Sequence, residues 1–431
     1  MSLGMSLAVL FGVMALCFIV RMPISFSMLA ASICFYVVSS PARLSQCWTV
    51  MNGNMFANYT MLAAPLFIFM ANVLNESEVT GRLFDFCNGM FGKMHGGTAQ
   101  VNVYISLIFS GMTGSAIADA SGIGMMEIEQ MKKEGYDLEF SAALTAATAT
   151  VGPIFPPSIP MVIYAMLSGV SVGKLFAGGM VPGVMLSVLL SIYVYFISKK
   201  RNYPQGVVMT PKQFLHATVV AFPALFTVII LLGGIYSGVC TPTEAGAVAS
   251  AYALLISTFI YRTMSFKKLW IILKKTAANT ATLALLCGTS MLFSFIVSYT
   301  QVSTTIANFV LGLTDNKYLF LFIVNIVFLL LGCILDVSTI QLVFVPMIIP
   351  LVNAFGIDLV HFGVVICLNM MIGLSTPPLG MLLFIVAGES KCKIAGIIRE
   401  ILPMALIMIA ELLLLTYVPQ LVLFIPNLMT A

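Results

Sequence analysis

A run of apolar residues is interrupted at Gly152-Pro153-Ile154-Phe155-Pro156-Pro157-Ser158, and this interruption constrains the fold more than any other stretch. Each proline lacks an N–H and its ring clashes with the carbonyl one turn back, so no helix passes through intact. A second copy, Gly373-Leu374-Ser375-Thr376-Pro377-Pro378, lies 221 positions on. Gly135 and Gly356, Asp137 and Asp358, and Pro182 and Pro403 keep the same offset of 221 without a gap. The chain is therefore read as a duplicated unit with one broken helix in each copy.

Composition decides the solvent. Of 431 residues, 60% are hydrophobic and 8% charged, against roughly 45–50% and about 25% in a soluble domain. The expected class is an all-α polytopic membrane protein, in which a span needs about 20 apolar residues. Spans are expected near residues 3–20, 23–39, 56–74, 138–167 (broken), 174–197, 218–236, 244–261, 277–297, 359–387 (broken) and 394–423, with Pro403 and Pro419 placed to bend the last. Amphipathic stretches at 75–97 and 298–316 precede two segments of a different kind. The first has short arms at 100–109 and 116–131 around the small-residue tip 110–115; the second has arms at 318–331 and 337–355 around the tip 332–336. Arms of ten to twelve residues would cover about 15 to 18 Å of a core about 30 Å thick. Both segments are expected to be re-entrant helical hairpins.

Each half then holds five crossings and one hairpin, and an odd number of crossings inverts the second half relative to the first. Following these crossings, seventeen of the twenty Lys and Arg fall on one side, leaving Arg43, Lys174 and Lys317 on the other. Basic residues mark the cytoplasmic face, so both termini are expected outside. The nine cysteines show no paired spacing and read as small packing residues. His95, His216 and His361 fall near span ends, so no metal site or proton relay is indicated. No nucleophile with a base, HExxH or phosphate-cradling loop occurs, which argues against an enzyme.

Broken helices expose carbonyls at one half-helix end and N–H groups at the next start; the former suit a small cation, the latter an anion. The candidate residues are Ser110, Thr113 and Ser115 with Gly152, Pro153 and Ser158 in the first half, and Gly332 and Asp336 facing Gly373, Ser375 and Thr376 in the second. The competing reading is that small residues only let helices approach closely. Asp119 and Asp336 are ionisable groups at depth, which makes them functional candidates. Asp137 and Asp358 read as helix caps, Glu244 as an N-terminal acid with a partner contact open to it, and Glu411 has no assigned role.

The run Gly114-Ser115-Ala116-Ile117-Ala118-Asp119, then Lys132-Lys133-Glu134-Gly135-Tyr136-Asp137, then residues 152–164 resemble the large membrane subunit of tripartite ATP-independent periplasmic (TRAP) transporters over essentially the whole chain. The resemblance implies an elevator-type secondary transporter in the bacterial inner membrane. It implies sodium-driven import of an organic acid, such as a sialic acid or a C4-dicarboxylate, delivered by a periplasmic binding protein. A separate small four-helix membrane subunit is implied as partner. Carried onto this chain, sodium would be held by Thr113, Ser115, Gly152 and Pro153 and by Gly332, Asp336, Gly373 and Thr376, supported by Asp119; the substrate would meet Ser110, Pro156, Pro157, Ser158, Ser375 and Pro377. No cofactor beyond sodium is implied. The expected division is scaffold and arm at 1–97, transport unit at 98–168, scaffold and arm at 169–316, transport unit at 317–390, and a last scaffold span at 391–431. The alternative is a stand-alone sodium-coupled dicarboxylate or citrate carrier, which needs no binding protein.

Overall fold

The computed structural model describes residues 3–57, 59–206, 209–302, 304–305, 312 and 316–429, and its regular elements are all helical. In chain order these are α1 (Leu3–Ile19), α2 (Ile24–Ser39), α3 (Leu44–Ala57), α4 (Ala63–Glu76), α5 (Val79–Phe91), α6 (Gly97–Thr113), α7 (Ala116–Ser121), α8 (Ile123–Lys133), α9 (Leu138–Thr148) and α10 (Ile159–Ser168). They continue as α11 (Val172–Arg201), α12 (Pro211–Tyr236), α13 (Pro242–Leu255), α14 (Phe266–Tyr299), α15 (Lys317–Ile334), α16 (Val337–Ala354), α17 (Leu359–Leu374), α18 (Met381–Ser390), α19 (Ile394–Tyr417) and α20 (Pro419–Leu428).

Among the described residues six helices are long and apolar enough to cross a membrane, and the α19–α20 pair, bent by 64°, makes a seventh. The bend sits before Pro419, which opens α20 and has no N–H with which to continue the α19 ladder. Pro403 instead stays inside α19. Exposed Phe196, Val219 and Leu406 on these long helices are the lipid-facing side of such a protein.

Both anticipated breaks are present. α9 gives way to α10 across residues 149–158, and α17 to α18 across 375–380. The Pro156–Pro157 and Pro377–Pro378 bonds are both cis. The packing repeats with the sequence. α6 lies on α9 as α15 lies on α17; α7 lies on α18 as α16 lies on α10; α19 lies on α9 as α11 lies on α17. Each contact becomes its counterpart when 221 is added to one partner or subtracted from the other, as a two-fold related pair of repeats requires.

Three expectations change. The span expected over 56–74 is a helix only from Ala63, after a 3-10 turn at Tyr59–Leu62, and α3 was not anticipated at all. The hairpin arms are longer than ten to twelve residues: α6 has 17 and α15 and α16 have 18 each, or about 25 to 27 Å. Arm length alone therefore does not make these segments re-entrant; the meeting of their tips with the breaks does. The first turn is confined to Gly114–Ser115 and the second to Leu335–Asp336, so Ser110, Thr113 and Gly332 are helical. α11 and α19 pack on the broken helices, and Phe176 of α11 also meets Phe67 of α4, their ring centroids 6.2 Å apart. The arm at 75–97 is α5; most of the stretch 298–316 lies outside the described residues.

Apolar packing falls into two main cores and a small third one at Ile163, Cys287 and Leu342. The larger unites the hairpins, the broken helices, α11 and α19 with α4, α5, α12 and α13, while a smaller one joins α1–α3 to α14 through residues such as Phe35, Phe293 and Ile296. Val343 of α16 extends the smaller core to the second hairpin.

Candidate functional site

The first turn is built on a glycine. Gly114 has φ of 59°, and a Cβ placed there would lie 2.4 Å from the Pro157 carbonyl oxygen, so the tip rests directly on the first break. Ser115 then caps α7, its hydroxyl accepting the Ala118 N–H at 3.4 Å. In the second repeat the equivalent intimacy is one turn earlier. A Cβ on Gly373 would lie 2.7 Å from the Gly332 Cα, so α15 and α17 touch backbone to backbone. Asp336 caps α16, its Oδ2 accepting the Ser338 N–H at 3.0 Å.

A polar clamp holds each first arm to its broken helix. Asn102 donates to Thr145 Oγ1 at 2.8 Å and accepts from the Thr148 hydroxyl at 2.7 Å. Asn369, which stands 221 residues after Thr148, donates to the carbonyl and side-chain oxygens of Asn325 at 2.9 and 3.0 Å. Asn325 in turn donates to Thr416 of α19 at 2.8 Å. All six of these clamp residues are buried, where such bonds replace a large desolvation cost.

The two tips and the first break enclose a cavity of about 190 Å³. Gly114, Ser115, Ala116 and Ile117 come from the first tip, Pro153, Ile159 and Pro160 from the first break and α10, Asp336, Val337 and Ser338 from the second tip, and Met371 and Leu374 from α17. Ile68 of α4 and Leu283 of α14 close it. Of the anticipated residues, Ser115, Pro153 and Asp336 thus meet at one place, drawn from both repeats. The N-terminal turns of α10 and α16 also open here, presenting partial positive charge to an anion.

The other anticipated residues lie around this cavity without lining it. Their hydroxyls share one habit: Ser110 donates to the Leu107 carbonyl at 2.5 Å, Thr113 to Phe109 at 3.5 Å, and Ser375 and Thr376 both to Ile372 at 3.0 and 2.5 Å. Ser158 donates to the Pro153 carbonyl and accepts the Met161 N–H at 3.2 Å. A hydroxyl that donates backwards keeps its lone pairs available to a cation. Gly152, Pro156 and Pro157 are buried in the first break, whereas Thr376 and Pro377 are half-buried and Pro378 is exposed in the second. Gly332 faces Gly373 as expected, but Asp336 faces the cavity and the first tip. Among the described residues no three His, Cys, Asp or Glu side chains gather as a metal cluster.

Outside the cavity, Asp358 caps α17 by accepting the Val360 and His361 N–H groups at 2.8 and 3.0 Å. Asp137 does not cap α9; it accepts from Arg201 at 3.2 Å and the Tyr203 hydroxyl at 2.5 Å. A guanidinium and a phenol on the neighbouring segment outcompete the local cap. Burial and that carboxylate hold the Tyr203 phenol up at about 12. Glu244 forms a capping box with Thr241 and borders an exposed cavity of about 660 Å³ between the α10–α11 and α12–α13 connections. Glu127 is a residue that sequence reasoning passed over: it is fully buried beside Asp119 on the same hairpin. Its signal was an acid set between Met126 and Ile128 on the apolar side of a mixed helix that also carries Glu129, Gln130, Lys132 and Lys133.

Paired hairpins and paired broken helices meeting in the interior of an all-helical, multi-pass protein define a transporter class of fold. The structure of the Alcanivorax borkumensis YdaH transporter shares it, with a TM-score of 0.64 over 87% of this chain and 88% of that one at 14% identity. Residues 11–421 match the family described as tripartite ATP-independent periplasmic transporter, DctM component, and the chain belongs to that family as a TRAP large permease subunit. It is 37% identical to the sialic acid TRAP transporter large permease protein SiaM of Vibrio cholerae, over 97% of this chain and 98% of that protein. It is 35% identical to the C4-dicarboxylate TRAP transporter large permease protein DctM of Pseudomonas aeruginosa, over 86% and 87%. The sialic acid TRAP transporter permease protein SiaT of Haemophilus influenzae is 35% identical over 95% of this chain, which spans 66% of that longer protein.

Proposed function

We propose that this subunit imports an organic acid across the bacterial inner membrane, driven by sodium. The observation that carries the reading is the shared cavity, where Ser115 and Pro153 of one repeat meet Asp336 of the other beside the starts of α10 and α16. Half-helix N-termini suit a carboxylate, and hydroxyls and turn carbonyls suit sodium. The relatives named for sialic acid and for C4-dicarboxylates supply the substrate class. Sodium is assigned to Thr113, Ser115, Gly152, Pro153, Gly332, Asp336, Gly373 and Thr376, with Asp119 in support. The acid is assigned to the side of Ser110, Pro156, Pro157, Ser158, Ser375 and Pro377.

The interlocking of hairpins and broken helices across the two repeats supports an alternating access in which they slide as one body against α1–α5 and α12–α14. A small four-helix membrane subunit and a periplasmic binding protein complete the transporter, and the termini face the periplasm. Glu244, exposed at a helix start on that face, is assigned to contact with a partner.

The test is uptake of labelled sialic acid and C4-dicarboxylates into vesicles holding this chain and its small subunit, with binding protein outside. Uptake that requires both an inward sodium gradient and the binding protein is expected. Uptake by the chain alone would favour the stand-alone carrier, and uptake indifferent to sodium would overturn sodium coupling.

A further inference from the structure

The transport assignment leaves unused a cavity of about 520 Å³ between the arm helix α5 and the start of α12. Its polar wall is Arg82 and Asp85 of α5 with Lys212, Gln213 and His216 of α12. Beside it Phe86 stacks on Phe214, their ring centroids 6.1 Å apart, and holds the two helices together. Arg82 is positioned without being neutralised: its guanidinium carbon lies 4.0 Å from the centre of the Tyr261 ring. Tyr261 is itself fixed to α12, its hydroxyl donating to the Val220 carbonyl at 3.1 Å and accepting the Ala224 N–H at 3.2 Å. Among the described residues neither Arg82 nor Lys212 forms an ion pair, although Asp85 shares the cavity.

Two further features give the depth and the direction of a ligand. Tyr261 leads into α14 through Thr263, whose hydroxyl donates to the Ser77 carbonyl, just before α5, at 3.3 Å. α14 has 34 residues, or about 51 Å against a hydrocarbon core about 30 Å thick, so one end overhangs. Its first turns carry Lys267, Lys268, Lys274 and Lys275 beside exposed Phe266 and Trp270, the composition of a headgroup layer. From the cavity, Leu215, Val219, Phe222, Phe226 and Ile229 run on along α12 as an exposed apolar stripe, about 21 Å of helix.

A free anion would fill the cavity and leave the stripe unmatched, and a zwitterionic lipid would bring its own cation to a wall that already holds two. We propose that the cavity binds the phosphodiester headgroup of an anionic phospholipid. Arg82 and Lys212 are its counter-charges, Gln213 and His216 further donors, and the acyl chains follow the stripe on α12. Arg82 belongs to the arm that leads into the first hairpin and Lys212 to the helix on which that arm rests, so bound lipid braces the arm. That bracing rests on the function proposed above, whereas the occupancy of the site does not.

Native mass spectrometry of the purified transporter counts bound lipids and needs no transport. Dioleoyl phosphatidylglycerol is titrated against dioleoyl phosphatidylcholine, which has the same chains and a zwitterionic headgroup, with inorganic phosphate as competitor. Phosphatidylglycerol is expected to fill one site ahead of phosphatidylcholine and to resist inorganic phosphate. Arg82→Ala combined with Lys212→Ala is expected to weaken that site roughly thirtyfold. Lys199→Ala combined with Lys200→Ala removes equal charge at the end of α11 and is expected to leave it unchanged. Should Arg82→Ala fail to fold, Lys212→Ala alone decides, with a loss of about fivefold. Equal affinity for the two lipids, equal effects of the two double variants, or displacement by inorganic phosphate would each overturn the lipid site. Uptake indifferent to sodium, by contrast, would overturn the function proposed above and leave this binding untouched.

Discussion

The two repeats share an order and an offset, yet they close their tips in different ways. In the first, a left-handed glycine at the turn seats the hairpin on the carbonyl of Pro157, and every residue of the break but Phe155 is buried. In the second, the turn carries no glycine, the first arm touches the broken helix through Gly332 and Gly373, and Pro378 and Leu379 stand exposed. Duplication therefore preserved where each helix breaks but not which atoms hold the tip to the break. One tip is fixed at its end, the other along its arm.

Substitutions at equivalent positions should expose that difference. The largest effect is expected for Gly373→Ala, whose Cβ would lie within 2.8 Å of backbone atoms of Gly332 and Leu329 that cannot give way. A loss of about 3 kcal/mol or more is expected, seen as a drop in thermal midpoint in detergent. Gly152→Ala at the matching position meets nothing nearer than 3.3 Å and should lose less than about 1 kcal/mol. Equal losses would mean that the arms are held alike.

Next comes Gly114→Ala, which adds a left-handed strain to a 2.4 Å approach on the Pro157 carbonyl. About 2 kcal/mol of destabilisation is expected, with uptake falling further than stability because the tip lines the cavity. Leu335→Ala, at the matching turn position, should spare uptake.

The clamps come third. Asn369→Ala removes two hydrogen bonds and strips Asn325 of its partner on α17, at a cost of about 2 kcal/mol. Thr148→Ala removes one donor from Asn102, which keeps Thr145, and about 1 kcal/mol is expected. Calorimetric unfolding of the two variants orders them. The smallest effect is expected at Arg201, which joins Asp137 of one repeat to Glu400 of the other at 3.2 and 2.8 Å with side chains partly in water. Arg201→Ala should cost about 1 kcal/mol, diminishing in high salt.

Much of this was legible in the chain itself. Proline pairs mark the breaks because no helix accommodates them, and the common offset marks the duplication. The missed features have physical reasons. Helix α3 carries Ser45, Gln46, Thr49 and Asn52 among its apolar residues, so neither hydropathy nor a simple stripe announces it. The cluster 110–115 looked like one turn because small residues are permissive, but only Gly114 adopts a positive φ and the helix continues to Thr113. The packing of α11 and α19 on the broken helices was not read from the chain, because largely apolar helices do not disclose which neighbour they meet. Asp137 shows the limit of local motifs: a partner 64 residues away in Arg201 takes the carboxylate that a cap would use.

The account's central claim is that both repeats build one binding cavity. The direct measurement is thiol labelling of single cysteines placed at Ile117, from the first tip, and Ser338, from the second, in a background without other reactive thiols. Sodium with the transported acid is expected to slow labelling at both positions together, over the same concentration range. Protection of one position while the other labels freely would contradict a shared cavity.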